Sequence, residues 1–202
     1  MSDHDHEHEH DHDHDHEHED EELEVEAQEE AAREQLRRFA LAQIRQYPDV
    51  ALRMPAREVT EFDEYLAQLV ERMEQLMHDA QGVGLAATQV GVLQRVFVLD
   101  AGDAGFRAIV NPRLVVSDEK ETDEEGCLSL WEVRVPVERS TKVTIEGKDP
   151  TGADVRLELE GLSARAAQHE ADHLDGVLII DRTDPESRKE ALGKLRPQPV
   201  IR

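Results

Sequence analysis

Along residues 60–80 (TEFDEYLAQLVERMEQLMHDA) the apolar positions Phe62, Leu66, Leu69, Val70, Met73, Leu76 and Met77 recur every three or four residues, with charged residues between them. That period is one face of a helix, and Thr60 with Asp63 gives a start signal close to a capping box. The methionines read as core, and His78 near the helix end as a structural residue that suits the helix dipole. Beyond this helix the pattern becomes strand-like over 95–100, 108–116, 133–148 and 154–161, with Gly, Asp and Pro between the runs. A second helix is predicted over 163–174, with Ser163 as its cap and Gly176 just past its end. A short polar helix follows over 185–195. Helix, several strands and then helix predicts an α+β domain with a mostly antiparallel sheet, not an alternating βαβ fold.

The N-terminal part behaves differently. His4, His6, His8, His10, His12, His14, His16 and His18 alternate with Asp or Glu, and residues 1–30 hold 16 acids and no Lys or Arg. So little apolar surface cannot offset ordering entropy, and the segment is expected to be disordered. It is either a solvated acidic tail or a tract that gathers transition metals. From 21 to 46 the residues are good helix formers, so the tail is expected to run into a charged helix that Tyr47-Pro48 breaks. The domain division expected is therefore a tail over 1–40 and a body over 41–202.

Charge and cysteine use narrow the function. The chain carries a formal net charge of −24, but residues 31–202 hold 31 acids against 23 bases, or −8. The body has no basic stripe to neutralise phosphates, so specific DNA binding is not expected. Cys127 is the single cysteine, which excludes an intramolecular disulfide and suits a reducing compartment. No apolar run approaches the roughly 20 residues needed to span a bilayer, and the first residues lack the layout of a secretion signal. A cytoplasmic protein without membrane association is expected.

The chemistry concentrates in three segments. Gln168-His169-Glu170-Ala171-Asp172-His173 puts two imidazoles at i and i+4, on one helix face, where both can meet one cation. Glu170 beside them can take a proton from water held by that cation and pass it to a leaving nitrogen. A third ligand is required. Ile179 stands where a metzincin would have its third histidine, and the downstream acids Glu186 and Glu190 lie in a polar tail beyond Pro185. Upstream, Glu125-Gly126-Cys127-Leu128-Ser129 offers a thiolate, and a thiolate with two imidazoles leaves a fourth position open. The third segment, Gly82-Val83-Gly84-Leu85-Ala86-Ala87-Thr88-Gln89, lacks the Lys-Ser/Thr ending of a phosphate loop. Its glycines allow tight turns and its Gln89 a side-chain amide for a substrate oxygen.

In this order the three segments resemble the signature motifs of the peptide deformylase family: GVGLAATQ, EGCLS and QHEADH. The resemblance spans roughly 41–195 and includes Tyr47-Pro48-Asp49, Asn111-Pro112 and the run from His173 to Leu178. It implies antiparallel sheets packed around a central helix that carries the two histidines. It implies Cys127, His169 and His173 as ligands of one divalent ion, characteristically Fe2+, with Zn2+, Ni2+ or Co2+ able to occupy the same ligands. Glu170 would be the general acid/base, while Gln89 and the Leu128 N–H would stabilise the oxyanion. Gly84 and Arg134 would contact the peptide. The substrate implied is the N-formylmethionyl end of nascent polypeptides, which brings in the ribosome, and Arg188, Lys189, Lys194 and Arg196 are basic residues able to touch RNA. Leu130-Trp131 departs from the small aliphatic residue and proline usual after EGCLS. The alternatives are a metalloprotease sharing the two histidines and the glutamate, and a metal-binding protein acting through its His-rich tail.

Overall fold

The structure, a computed structural model, describes residues 13–102 and 105–195. Helix α1 covers Asp13–Gln43. It therefore begins before residue 21, takes in part of the segment expected to lack structure, and crosses the division expected after residue 40. The reason is local: no glycine or proline lies between Asp13 and Pro48, and Glu, Ala, Gln, Leu and Arg dominate. Its exposed turns carry i,i+4 pairs, Arg33 with Glu29 and Arg38 with Glu34. Among the described side chains from Val25 on, only the end of the helix enters the core, through Ala40 and Leu41, followed by Ile44. The first five histidine–acid repeats, through residue 12, lie outside the described residues.

Helix α2, Glu64–Asp79, starts where Asp63 accepts from the Leu66 N–H at 3.0 Å. It buries Leu66, Leu69, Val70, Met73, Leu76 and Met77, the predicted face. Seven strands follow: β1 Gly84–Ala86, β2 Val96–Asp100, β3 Phe106–Val116, β4 Lys120–Cys127, β5 Leu130–Ser140, β6 Lys142–Lys148 and β7 Asp154–Glu160. They form an antiparallel five-stranded sheet in the order β1-β2-β3-β6-β7 and a separate β4-β5 pair. The run expected as one strand over 133–148 is thus two, β5 and β6, which part at Thr141 and belong to different sheets.

Helix α3, Gly161–Leu174, packs on the opposite face of the larger sheet from α2. Alternate residues of β2 divide accordingly. Val96 and Val98 join the α2 core, and Phe97 and Leu99 join the α3 core. A strand covered on both faces has no polar side, which is why VFVL reads as a continuous apolar run. Two short helices, α4 Ile179–Arg182 and α5 Pro185–Lys194, close a third core over β5 with Val133, Val135, Val137, Ile179 and Ile180. The α+β, mainly antiparallel arrangement read from the chain holds, with α3 between the sheets. No described helix is long and apolar enough to cross a membrane.

Candidate active site

The site begins with how α3 is seated. Gly161 takes φ +57°, turning the chain from β7 into the helix. Ser163 lies inside the first turn and donates to the Glu160 carbonyl at 2.9 Å, so Glu160, not Ser163, holds the cap position. Buried Ala164 and Ala167 have no bulk to hold the helix off the sheet. At the far end Gly176 adopts φ +73°, where a Cβ would meet the Arg53 carbonyl at 2.7 Å. Between these ends His169 and His173 share one face, their ring centroids 4.9 Å apart.

Cys127 arrives from the other sheet. The β4-β5 register shifts between Gly126 and Cys127, and the tight turn through Leu128 and Ser129 carries the thiol to α3. Its Sγ lies 3.2 Å from His173 Nε2 and accepts from the Ser129 N–H at 3.4 Å. One donor atom from each of Cys127, His169 and His173 falls within 4.8 Å of the others. Donors sharing a tetrahedral ion at metal–ligand lengths of about 2.0–2.3 Å stand about 3.3–3.8 Å apart, so the Cys127–His173 pair is already near that spacing and the set needs only a small contraction to close on one ion. One further atom fits an ion with water beside it: Glu170 Oε2 is buried without a hydrogen-bond partner among the described residues.

A buried charge network holds the ligands. His169 Nδ1 faces Glu125 Oε2 at 3.1 Å, which directs Nε2 to the ligand cluster. Glu125 also accepts from Arg139 Nε at 2.9 Å, Arg139 Nη2 at 3.0 Å and Arg165 Nη1 at 2.8 Å. Arg139 then donates to Asp172 at 2.6 Å, and Arg182 pairs with the same carboxylate. Burial pushes the Glu125 carboxyl up, but His169 and Arg139 outweigh it and hold it at about 2. Burial likewise presses His169 down, and its bonds to Cys127 and Glu125 reverse this. His173 has no carboxylate partner among the described residues. Burial, with the charges of His169 and Arg139, keeps it well below the usual histidine range. Glu170, 4% exposed, is pushed up by burial to about 7.

These groups open onto a cleft of about 520 Å³ lined by Gly84, Gln89, Leu128, Arg134, His169 and Glu170 among others. Gln89 accepts the Ala86 N–H on Oε1 at 2.8 Å, which turns its Nε2 to Ser129 Oγ at 3.0 Å and to within 3.8 Å of Cys127 Sγ. Leu128 is anchored through its carbonyl by Gln46 Nε2 at 2.8 Å. Gly84 passes so close to the helix that a Cβ there would lie 2.4 Å from Glu170 Oε1. Arg134 is exposed and donates to the Glu124 carbonyl at 3.0 Å.

Seven of the eight predicted site residues line one cleft, and the eighth, His173, is buried behind it against Cys127. Glu125, Arg139 and Asp172 were not predicted. Glu125 carried a signal: two residues before Cys127 on a strand, it shares that residue's face. Arg139 carried none, since an arginine next to a run of alternating valines reads as surface.

The described geometry has close counterparts. The polypeptide deformylase family model matches residues 41–189. The peptide deformylase of Acidothermus cellulolyticus is 47% identical over 157 residues, 78% of this chain and 87% of the relative. That of Thermotoga maritima is 49% identical over 146 residues, 72% and 88% of the two chains. Its crystal structure superposes with a TM-score of 0.68 at 49% identity, covering 70% of this chain and 97% of that one. A peptide deformylase from Synechococcus elongatus in complex with actinonin gives a TM-score of 0.71 at 39% identity, covering 75% and 85%.

Proposed function

This chain belongs to the polypeptide deformylase family, and from that premise we infer that it hydrolyses the N-formyl group of N-terminal formylmethionine on newly made polypeptides, releasing formate. The observation that carries this reading is the convergence of Cys127, His169 and His173, with donor atoms within 4.8 Å, beside a buried Glu170 whose carboxyl sits at about 7.

Cys127, His169 and His173 would hold one divalent ion, Fe2+ being the family's characteristic metal and Zn2+, Ni2+ or Co2+ suiting the same thiolate and two imidazoles. When bound, the ion supplies Lewis acidity, lowering the pKa of water towards neutrality and polarising the formyl oxygen. The protein does the rest. Glu170 takes the proton from the attacking water and returns it to the leaving nitrogen, and a carboxyl near neutrality suits both transfers. Gln89 Nε2–H and the Leu128 N–H donate to the oxyanion that forms on the formyl carbon; one such donor is worth about 10²–10³-fold in rate. Gly84 lets the peptide backbone lie against Glu170, and Arg134 holds the chain beyond the methionine. The buried Glu125–Arg139–Asp172 network keeps His169 in the tautomer that leaves Nε2 for the ion.

A protease reading needs a downstream third ligand, and Glu186 and Glu190 are both exposed on α5. Ribosome contact through the C-terminal bases has little support in their surroundings. Arg188 lies 3.3 Å from Asp181 and Lys194 2.9 Å from Glu190, and Arg196 is outside the described residues. A cytoplasmic site of action follows from the substrate class and the single free thiol. The test is formate release from a formyl-Met tripeptide by protein purified anaerobically with ferrous iron. Release by the wild type and its loss in Glu170→Ala support the reading; no release from folded, metal-loaded protein overturns it.

A further inference from the structure

Helix α1 reaches the cleft. Arg37 precedes residue 41, where the family match begins, yet it lines the same cavity as Gly84 and Glu170. Its guanidinium carbon stands 5.0 Å from the centroid of the Trp131 ring, at the start of β5. Two other arginines line the cleft, and both are committed. Arg165 bonds Glu125, the Val137 carbonyl and the Glu121 carbonyl, and Arg134 bonds the Glu124 carbonyl. Arg37 is different. Its Nε is buried with no hydrogen-bond partner among the described residues, and its one ionic contact is Glu34 at 3.5 Å, long for a bond of this kind.

An aromatic face under a guanidinium fixes its plane and removes water from one side. The N–H groups at its edge are then held ready for an acceptor, and a planar fork of donors matches a carboxylate. We propose that Arg37, held on Trp131, is a specificity-determining residue that binds a carboxylate side chain carried by the formylated peptide just after its formyl-methionine. The inference rests on the deformylase reading for its substrate. Glu124 and Glu132 line the same cleft and oppose an acidic ligand, so the preference is moderate, about two- to fivefold in kcat/KM as for a partly exposed ion pair.

The experiment uses the full iron-loaded chain and formyl-Met tripeptide amides, whose blocked C-termini leave the side chain as the only variable charge. Glu, Gln and Lys are placed in turn at the second and at the third position, and rates are compared within each enzyme so that a general loss of activity cancels. In the wild type the Glu peptide is expected to exceed its Gln counterpart about two- to fivefold at one of the two positions, mainly through KM, with the gap closing as salt rises. Arg37→Gln should bring that ratio to one, Arg37→Glu should turn the preference to Lys, and Trp131→Leu should weaken it. A wild-type ratio of one at both positions, or a ratio that survives Arg37→Gln, overturns the proposal while leaving the deformylase reading intact. No formate from any peptide overturns both.

Discussion

Replacing Gly84 by alanine tests the link between backbone approach and chemistry most directly. The added methyl carbon would lie 2.4 Å from Glu170 Oε1 and 2.9 Å from its Cδ and Cγ. Carbon and oxygen atoms meet comfortably at roughly 3.4 Å or more, so the carboxylate must retreat by about 1 Å. It has little room to do so, being 4% exposed on a helix pressed against the sheet. Gly84 does not use the left-handed region, so alanine adds no backbone strain and the contact alone is changed. Overpacking of this kind costs about 1–3 kcal/mol of stability, and a 1 Å displacement of a reacting group costs about 10²-fold in rate. The assay is kcat and KM for formate release, with metal content and a denaturant melt on the same preparations. A fall of about 10² in kcat with metal stoichiometry intact is expected, because no ligand is touched. Val83→Ala, a neighbouring change at a 42% exposed side chain, serves as the control. A Gly84→Ala enzyme with wild-type kcat would refute the reasoning.

Other substitutions separate the remaining parts. Cys127→Ala removes one of three donors and should strip the ion during dialysis against a weak chelator; full occupancy after dialysis would remove Cys127 from the ligand set. Glu125→Gln leaves Arg165 without its carboxylate and Arg139 with Asp172 alone, for an expected loss of about 3 kcal/mol and about 10–100-fold weaker metal binding. Denaturant melts and chelator competition check both, and a Gln variant as stable as the parent would dismiss the network. Glu170 gives a pH signature in metal-free protein. Its folded carboxyl is raised from 4.5 to about 7, so the folded state binds the proton more tightly. Its contribution is full below pH 4.5 and is lost as pH rises through about 7, a span of about 3 kcal/mol. Glu170→Gln should lack this slope and, at about pH 8, unfold at higher denaturant than the wild type by up to that amount; matching midpoints there would count against it.

How much of this was legible depends on which physical signal each residue leaves. His169 and His173 were readable because helical spacing alone puts them on one face. Cys127 was legible mainly through the order of the three motifs, since a turn and a register shift between β4 and β5, invisible in a single sequence, bring its thiol to α3. Strand β4 itself went unread. Its residues KETDEEGC offer no apolar alternation, because one face is solvated and the other buries Glu125 within a charge network. Strand β1 is three residues long and entirely buried, too short to show a period. Arg37 could not be told from Arg33 or Arg38 on the same charged helix, because what distinguishes it is Trp131, almost a hundred positions away.

The β4-β5 pair shares no ladder with the five-stranded sheet. It is fastened to α3 by the buried pairs Arg139–Asp172 and Arg165–Glu125, and Cys127 meets His169 and His173 in a cluster that could hold an ion. An ion held there would act as a rivet between two separately built pieces of the molecule. Because it would favour only the assembled state, it would add about 2.7 kcal/mol at a hundredfold excess over its Kd. Heat resistance then becomes a gauge of occupancy: preparations with different loading should melt apart, and the melting curve should reveal a lost rivet without any substrate present.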